Sequence, residues 1–257
     1  MPCHITIVMF SLNTAWNSAA TNTYHWALAK KAGAKFIAVD PYYSELAQAM
    51  DAEWLPIRPS TDSALLLALA YTLLTKDDPE KNPLIDWDFL NRCTLGFDAE
   101  HMPEGVDPKE NFKDYVLGTY DGIPKTPKWA EKICGLEASR IEWLANEIRM
   151  EKKVALVCGW ASARTQNSDN FPQLFATIGA MGGHFGKSGH MTGPSHSYFT
   201  ANGGLPLVKG GSAGLPSVSN PVDDSLHLGN CWDAIIDGHY TMLNGMGRSM
   251  TYWPSSI

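Results

Sequence analysis

Short runs of apolar residues recur along the chain, and almost no polar residue interrupts them. Three of them, Ile5–Phe10, Phe36–Val39 and Val154–Cys158, have four to six residues each. Strands that are buried on both faces of a parallel sheet have this continuous apolar character, whereas a helix buried in a core is usually longer. A fourth strand is predicted over Glu53–Ile57. The pattern therefore predicts an α/β fold with a mostly parallel sheet.

Helical patterns separate these strands. Ala19–Ala32 is followed by Gly33, a residue typical of helix ends, and Thr61–Thr75 has leucines near helical spacing. Further helices are predicted over Ser44–Met50, Asp86–Cys93, Asn111–Leu117, Thr126–Cys134, Glu137–Met150 and Phe171–Met181. A strand, a helix and a second strand in succession form a β-α-β unit, whose two strands are parallel. We therefore expect a Rossmann-like sheet flanked by helices.

The pattern changes after Gly189. From there to about Pro221 the chain is dense in glycine, proline and serine, and its hydrophobic periodicity is weak. Long loops of this kind are often functional or pack against another domain. We therefore predict two domains: a Rossmann-like nucleotide-binding domain over residues 1–185, and a loop-rich start of an adjoining domain over residues 186–257.

Two acidic residues mark the most promising site. The strand Phe36–Val39 is followed by Asp40, and Pro41 prevents the strand from continuing. Ligands of open α/β sheets bind beyond the carboxyl ends of the strands, and a carboxylate there accepts hydrogen bonds from a ribose diol or a guanine edge. Asp62 begins the helix that follows the next strand. It is either a second ligand residue or an acid that favours the positive end of the helix dipole.

Two further loops lie where a strand leads into a helix. Residues 11–18 follow the first strand, and the free N–H groups at a helix start suit a phosphate. Asn13 in this loop is either a ligand residue or an ordinary turn residue. Residues 159–164 follow the strand Val154–Cys158 and end with Arg164, which either binds a phosphate through two nitrogens or remains solvated.

Other classes of site are disfavoured. The chain has no Gly-x-Gly-x-x-Gly dinucleotide loop, and Gly186-Lys187-Ser188 lacks the earlier glycine of a P-loop because Met181 stands there. No two of the five cysteines are close enough for a metal or cluster motif. Three histidines lie six residues apart without an acid or cysteine cluster, so we predict no metal ligand: His184, His190 and His196.

Charge and hydropathy exclude two kinds of partner. A net charge of −7 and a pI near 5.6 argue against a nucleic-acid surface, which usually requires a basic face. The longest apolar run, Ala64–Leu74, has 11 residues and is too short to cross a membrane. We therefore expect neither nucleic-acid binding nor direct membrane insertion.

Two segments carry a family resemblance. The segments VDPYYSELA (residues 39–47) and EWLPIRPSTDSALLLALAYTLL (residues 53–74) resemble the molybdopterin oxidoreductase family, and within it the catalytic subunits of the dimethyl sulfoxide reductase group. The resemblance covers most of the chain, best over residues 5–74 and 137–189. Three positions depart from the family pattern: Ser11 stands where the family usually has glycine, Thr14 where it usually has proline, and Ala163 where it often has glutamine.

The resemblance implies a binding site for the guanosine end of one molybdopterin guanine dinucleotide. In the family, the motif Pro-x-Thr-Asp, here Pro59–Asp62, contacts that end of the cofactor. The residues that the resemblance places in the cofactor site are Ser11, Asn13, Trp16, Asp40, Pro41, Tyr42, Thr61, Asp62, Gly159, Trp160 and Arg164. No catalytic residue is assigned to this chain.

The resemblance also implies a molybdenum oxidoreductase that reduces a sulfoxide or an N-oxide in anaerobic respiration. The intact protein would hold a bis(molybdopterin guanine dinucleotide) molybdenum cofactor, with an iron–sulfur cluster in a preceding segment. Its partners would be an iron–sulfur electron-transfer subunit and a membrane anchor subunit, on the periplasmic face of the membrane. We expect this chain to be a middle fragment that is catalytically inert and without the cofactor when alone.

Two alternatives remain open. One is a self-contained nucleotide-binding α/β module. The other is a structural or assembly protein of the same fold that has lost its ligand, as the residues at Ser11 and Ala163 suggest.

Overall fold

Five parallel strands form the central sheet, in the order β3-β2-β1-β4-β5. The computed structural model describes residues 5–17, 22–159, 161–166, 168–194, 235–238, 240–243 and 249–252. The strands are β1 (Ile5–Phe10), β2 (Lys35–Val39), β3 (Glu53–Leu55), β4 (Lys153–Cys158) and β5 (Met191–Pro194). This arrangement confirms the predicted α/β class with its mostly parallel sheet.

Nine α-helices lie within the described residues up to 194. They are α1 (Thr14–Asn17), α2 (Asn22–Lys31), α3 (Glu45–Met50), α4 (Asp62–Lys76), α5 (Trp87–Cys93), α6 (Phe112–Leu117), α7 (Pro127–Cys134), α8 (Ala138–Glu147) and α9 (Phe171–Met181), and two short 3-10 helices cover Ala99–His101 and Ala161–Ala163. None of the helices in these ranges has both the length and the apolar character needed to cross a bilayer.

Each face of the sheet carries its own apolar core. Successive strand residues point to opposite faces, so Val8 and Phe10 pack in the larger core and Ile7 and Met9 in the smaller one. The larger core is centred on α4, whose leucines are almost all inaccessible to solvent. Because both faces are covered, the strands can be apolar at nearly every position, which explains the uninterrupted runs in the sequence.

The predicted elements differ from the observed ones mainly at their ends. Strand β3 stops at Leu55 and not at Ile57, because Pro56 has no N–H for the ladder. Helix α4 begins at Asp62 with Thr61 before it, but the Thr61 hydroxyl donates to the Arg58 carbonyl at 2.6 Å and caps no helix N–H. Gly33 has a φ of +96°, as expected for the glycine that ends a helix.

The sheet extends beyond the domain boundary that the sequence predicts after residue 185. Strand β5 pairs with β4 from Met191 to Pro194, in a segment that the weak periodicity assigned to loop. The chain divides into two compact units, Met1–Val208 and Lys209–Ile257. In the second unit, β6 (Tyr240–Leu243) and β7 (Ser249–Tyr252) form an antiparallel pair.

Candidate functional site

The candidate site lies at the carboxyl edge of the sheet, where β1 stands between β2 and β4. The chain leaves β1 towards β2 on one side, whereas it leaves β4 towards β5 on the other, so the two connections run in opposite directions along the sheet. Such a switch point in strand order forms a crevice at the carboxyl ends of the strands, the usual ligand site of open α/β sheets.

The loops after β1 and β4 are in direct contact at the crevice. The Gly159 N–H donates to the Phe10 carbonyl at 2.8 Å, and the Ser11 N–H donates to the Val39 carbonyl at 3.0 Å. A Cβ atom on Gly159 would lie 2.1 Å from the Ser11 carbonyl oxygen, far inside van der Waals contact. Only glycine therefore fits at position 159. Ser11 itself has a φ of +46°, in the left-handed region where the family pattern has glycine.

Asp40 and Asp62 are the two buried carboxyls of this edge, with side chains only 6% and 5% exposed. Burial raises the pKa of each carboxyl to about 6, and the charge of Asp40 further raises the pKa of Asp62, so the two groups are close in space. The charge of Asp62 also raises the pKa of the Cys158 thiol at the end of β4, although burial is the larger cause there. Two acids from separate loops are therefore buried at the same edge of the sheet.

The carboxyl of Asp62 is incompletely bonded. The Ser11 hydroxyl is a hydrogen-bond partner of this carboxyl. Its Oδ1 atom, however, is buried and has no hydrogen-bond partner among the described residues. A buried acceptor without a donor costs about 1–3 kcal/mol, and more for a charged group. A ligand that brings an N–H or O–H donor to this atom would remove that cost.

Asp40 is held from two sides by backbone groups. Its carboxylate accepts from the Tyr42 N–H, with Oδ1 at 3.4 Å, and from the Leu12 N–H, and both bonds oppose the rise in its pKa. Its carbonyl accepts the indole N–H of Trp54 at 2.9 Å. Asp40 is thus hydrogen-bonded to β3 through Trp54 and to the loop after β1 through Leu12.

Asn13 joins the loop after β1 to the start of α3. Its Nδ2 donates to Glu45 Oε2 at 2.6 Å and to the Tyr42 hydroxyl at 3.2 Å, and its Oδ1 accepts from the Leu46 N–H at 3.3 Å. The side chain of Asn13, a predicted ligand residue, therefore hydrogen-bonds groups of the protein itself. Tyr42 and its neighbour Pro41 are exposed on the same loop.

The remaining predicted site residues are either exposed or not fully described. Arg164 is exposed beyond the 3-10 helix Ala161–Ala163, and its N–H donates to the Ala161 carbonyl at 3.0 Å. Trp160 lies outside the described residues, and only the backbone of Trp16 is described, in α1. The structure brings together Ser11, Asp40, Asp62 and Gly159.

Two contacts of the acidic loops were not predicted from the sequence. Trp54 and Arg58 both lie in the segment EWLPIRP between the two acids: the Trp54 indole donates to the Asp40 carbonyl, and the Arg58 guanidinium donates to two carbonyls at the end of α7. The sequence feature that could have indicated these contacts is that both residues lie between Asp40 and Asp62. Neither residue type indicates such a contact from sequence alone.

The histidines form a pair in the connection between α9 and β5. His184 Nδ1 lies 3.1 Å from His190 Nδ1, and His184 Nε2 donates to the Ile148 carbonyl at 2.7 Å. His196 lies outside the described residues. Over the ranges that the structure describes, no three histidine, cysteine or acidic side chains are grouped so that they could hold a metal ion.

Comparison with known protein families gives a match over most of the sequence. The profile of the molybdopterin oxidoreductase family covers residues 5–207, which include the whole sheet and both acidic loops. The chain belongs to the molybdopterin oxidoreductase family. Membership implies a molybdenum–molybdopterin cofactor, and the crevice with its unpaired buried acceptor at Asp62 fits a ligand that carries N–H and O–H donors.

Relatives place the chain in the dimethyl sulfoxide reductase group of this family. It is 35% identical to dimethyl sulfoxide reductase DmsA of Haemophilus influenzae over 236 residues, which are 90% of this chain and 27% of the relative. It is 34% identical to trimethylamine-N-oxide reductase of the same organism over 187 residues, 73% of this chain and 20% of the relative. The chain therefore spans about a quarter of the length of these relatives.

A solved structure confirms the fold. Acetylene hydratase from Pelobacter acetylenicus superposes with a TM-score of 0.54 and 21% identity, over 72% of this chain and 22% of that one. At this identity the likeness concerns the α/β architecture and carries no conclusion about the reaction.

Proposed function

We propose that this chain recognises the guanosine end of a molybdopterin guanine dinucleotide in a molybdenum oxidoreductase of the dimethyl sulfoxide reductase type. One observation carries the proposal: two buried carboxyls, Asp40 and Asp62, lie close together at the switch point of the sheet, and one oxygen of Asp62 has no donor. Burying ionisable groups destabilises the folded chain, so buried acids at a switch point are typical of a ligand site.

The chemistry of the two acids favours guanosine over adenosine. An ionised carboxylate only accepts hydrogen bonds. Guanine presents two adjacent donors, N1–H and the N2 amino group, which match the two oxygens of Asp62. Adenine has an acceptor at N1, which an ionised Asp62 would repel. Asp40 follows β2, the position at which related sheets bind a ribose diol through an acid.

The other residues of the crevice shape it for the nucleotide. Gly159 allows the loop after β4 to contact the backbone of the loop after β1, because a Cβ atom there would overlap the Ser11 carbonyl oxygen. Arg164 is the candidate donor to a phosphate. In the intact protein, molybdenum on the pterin supplies the oxygen-atom transfer, and the residues described here hold and orient the nucleotide.

The wider role follows from the group to which the chain belongs. We propose that the intact protein reduces a sulfoxide or N-oxide, since its relatives are named for these reactions. We further propose an iron–sulfur cluster and a second pterin site elsewhere in that protein, an iron–sulfur subunit with a membrane anchor as partners, and a periplasmic location. The chain alone should show no oxidation of reduced viologen with dimethyl sulfoxide, and clear turnover would contradict this.

Calorimetric titration with GDP and ADP tests guanosine recognition directly, because the two ligands differ only in the base. We expect binding of GDP and at least tenfold weaker binding of ADP. Asp62→Asn should weaken GDP binding by about 10- to 100-fold, the usual worth of a hydrogen bond to a charged group. Asp88→Asn, an exposed acid that pairs with Arg92, is the matched control and should bind as the unmodified chain does.

Two outcomes would contradict the proposal. Equal affinity for GDP and ADP would indicate a general nucleotide-binding module. No binding of either nucleotide would indicate a scaffold of this fold whose acids do not recognise guanosine.

A further inference from the structure

Arg58 donates hydrogen bonds to the carbonyl groups at the end of α7, a helix that is remote from it in sequence. The last four carbonyls of α7 have no partner within the helix unless the following residues supply one. Gly135 N–H donates to the first of them, and Arg58 takes the other three: its Nη1 donates to two at 2.8 and 3.0 Å, and its backbone N–H donates to the last at 2.8 Å. In chain order these carbonyls belong to Glu131, Lys132, Ile133 and Cys134.

The same residue is bonded to the start of α4. The Arg58 carbonyl accepts the Thr61 hydroxyl at 2.6 Å. The Thr61 carbonyl in turn accepts the N–H groups of Ala64 and Leu65, at 3.1 and 3.3 Å, which are the first bonds of α4. A continuous series of hydrogen bonds therefore runs from the end of α7 through Arg58 to the helical turn that carries Asp62.

The turn between them is under strain. Ser60 has a φ of +65°, a conformation that costs a residue with a side chain roughly 1–2 kcal/mol. The ionised carboxylate of Asp62 would also gain solvation if the turn opened towards water. Both effects favour release of the turn, so its observed conformation requires an external restraint. Among the contacts described for this turn, the bonds of Arg58 are those that reach another helix.

We propose that Arg58 is a positioning residue for Asp62: by binding the carboxyl end of α7, its guanidinium holds the Pro59–Asp62 turn in the conformation that keeps the Asp62 carboxylate buried at the crevice. The inference rests on the proposed role of Asp62 in guanosine recognition. Arg58 acts through the backbone, since its guanidinium bonds the carbonyls of Lys132 and Ile133.

The first test compares GDP affinity across pH for Arg58→Gln and Arg58→Lys. The lysine keeps the positive charge at the helix end but cannot bond two carbonyls from a rigid fork. If the glutamine variant fails to fold, the lysine variant still tests the proposal. We expect about tenfold weaker GDP binding for glutamine and a smaller loss for lysine. The pH at which binding is half lost should fall below 6, because Asp62 becomes solvated.

Arg140→Gln is the matched control, since it removes another arginine, one whose ion pair with Glu53 lies away from the turn. It should leave both the affinity and the pH profile unchanged. Unchanged affinity and an unchanged pH profile in both Arg58 variants, with only a loss of stability, would overturn the positioning role.

A second measurement needs no ligand and separates this proposal from guanosine recognition. Asp62→Asn should change the unfolding equilibrium constant at pH 7.5 by roughly 30-fold in the unmodified chain, because it removes a buried charge. In the Arg58→Gln background we expect less than a tenfold change, because the carboxylate is no longer held in its buried place. An equal change in both backgrounds would overturn the positioning role even if GDP never binds.

Discussion

Replacing the buried acid Asp62 by asparagine should stabilise the protein while it weakens guanosine recognition. Its carboxylate is almost inaccessible to solvent and has one oxygen without a partner. At neutral pH the folded chain therefore holds a poorly compensated negative charge next to a second acid, Asp40. Asparagine has nearly the same shape and no charge, so the variant should lose this penalty.

The magnitude follows from the pKa of Asp62. Burial raises it from 3.8 to about 6, and a tenfold change in proton affinity corresponds to about 1.4 kcal/mol, so the ionised form costs roughly 3 kcal/mol in the folded chain. The asparagine amide introduces a donor where the site offers few acceptors, at a cost of about 1 kcal/mol. We expect a net gain of about 2 kcal/mol at pH 7.5, or about 4–8 °C in Tm.

The gain should depend on pH in one direction. Below about pH 3.8 the carboxyl is protonated in both the folded and the unfolded chain, so the substitution has little effect on stability. Between pH 3.8 and 6 the unfolded chain ionises first, and the penalty on the folded state grows as the pH rises. Above pH 6 the penalty is complete, and so is the gain from asparagine.

The buried His184 acts in the opposite direction over part of this range. Burial lowers its pKa to about 4, so the folded chain keeps it neutral while the unfolded chain takes up a proton below pH 6.5. Stability therefore falls from this cause as the pH drops from 6.5 to 4. The effect of Asp62 must be taken as the difference between variant and unmodified chain at each pH.

Urea unfolding at intervals from pH 4 to pH 8 measures this difference. Asp88→Asn is the control, because its ion pair with Arg92 is exposed and such pairs contribute little to stability. A variant that is less stable than the unmodified chain at pH 7.5 would refute the reasoning. So would a gain that is the same at pH 4 as at pH 8, since only a buried charge explains the pH dependence.

Three further predictions concern the same edge of the sheet. GDP affinity should fall as the pH drops below 6, where Asp40 and Asp62 take up protons and lose acceptor strength, and calorimetry at pH 5 and 7.5 measures this. Gly159→Ala should destabilise the chain by at least about 2 kcal/mol in urea unfolding and weaken GDP binding, because its Cβ would overlap the Ser11 carbonyl. Ser60→Gly should raise stability by about 0.5–1 kcal/mol, because glycine adopts the positive φ without strain, and an unchanged or lower Tm would contradict that account.

Local sequence determined most of the secondary structure of the sheet domain. The uninterrupted apolar runs predicted β1, β2 and β4, because only strands covered on both faces are apolar at every position. Proline and glycine placed several element ends, since proline lacks an N–H and glycine tolerates positive φ. Strand β5 was missed because it has four residues, ends in Gly193-Pro194 and depends on pairing with β4.

The candidate site was predicted in part. The two acids after β2 and β3 were found from their positions at strand ends and from the family resemblance. The sequence left open whether Asp62 was a ligand residue or an acid at a helix start, and packing against the loop after β1 decided that it is buried beside Asp40. The resemblance placed Asn13 in the cofactor site; its amide is bonded to Glu45 and Tyr42, and its role towards a ligand stays a prediction.

Burial depth and bonding partners were decided by the tertiary structure for a physical reason. Strand and helix patterns depend on neighbours a few residues away, so consecutive letters encode them. The contacts at the crevice join loops far apart in the chain, such as Asn13 to Glu45 and Arg58 to Ile133. Their geometry exists only once the parallel strands have paired and brought the carboxyl ends to one edge.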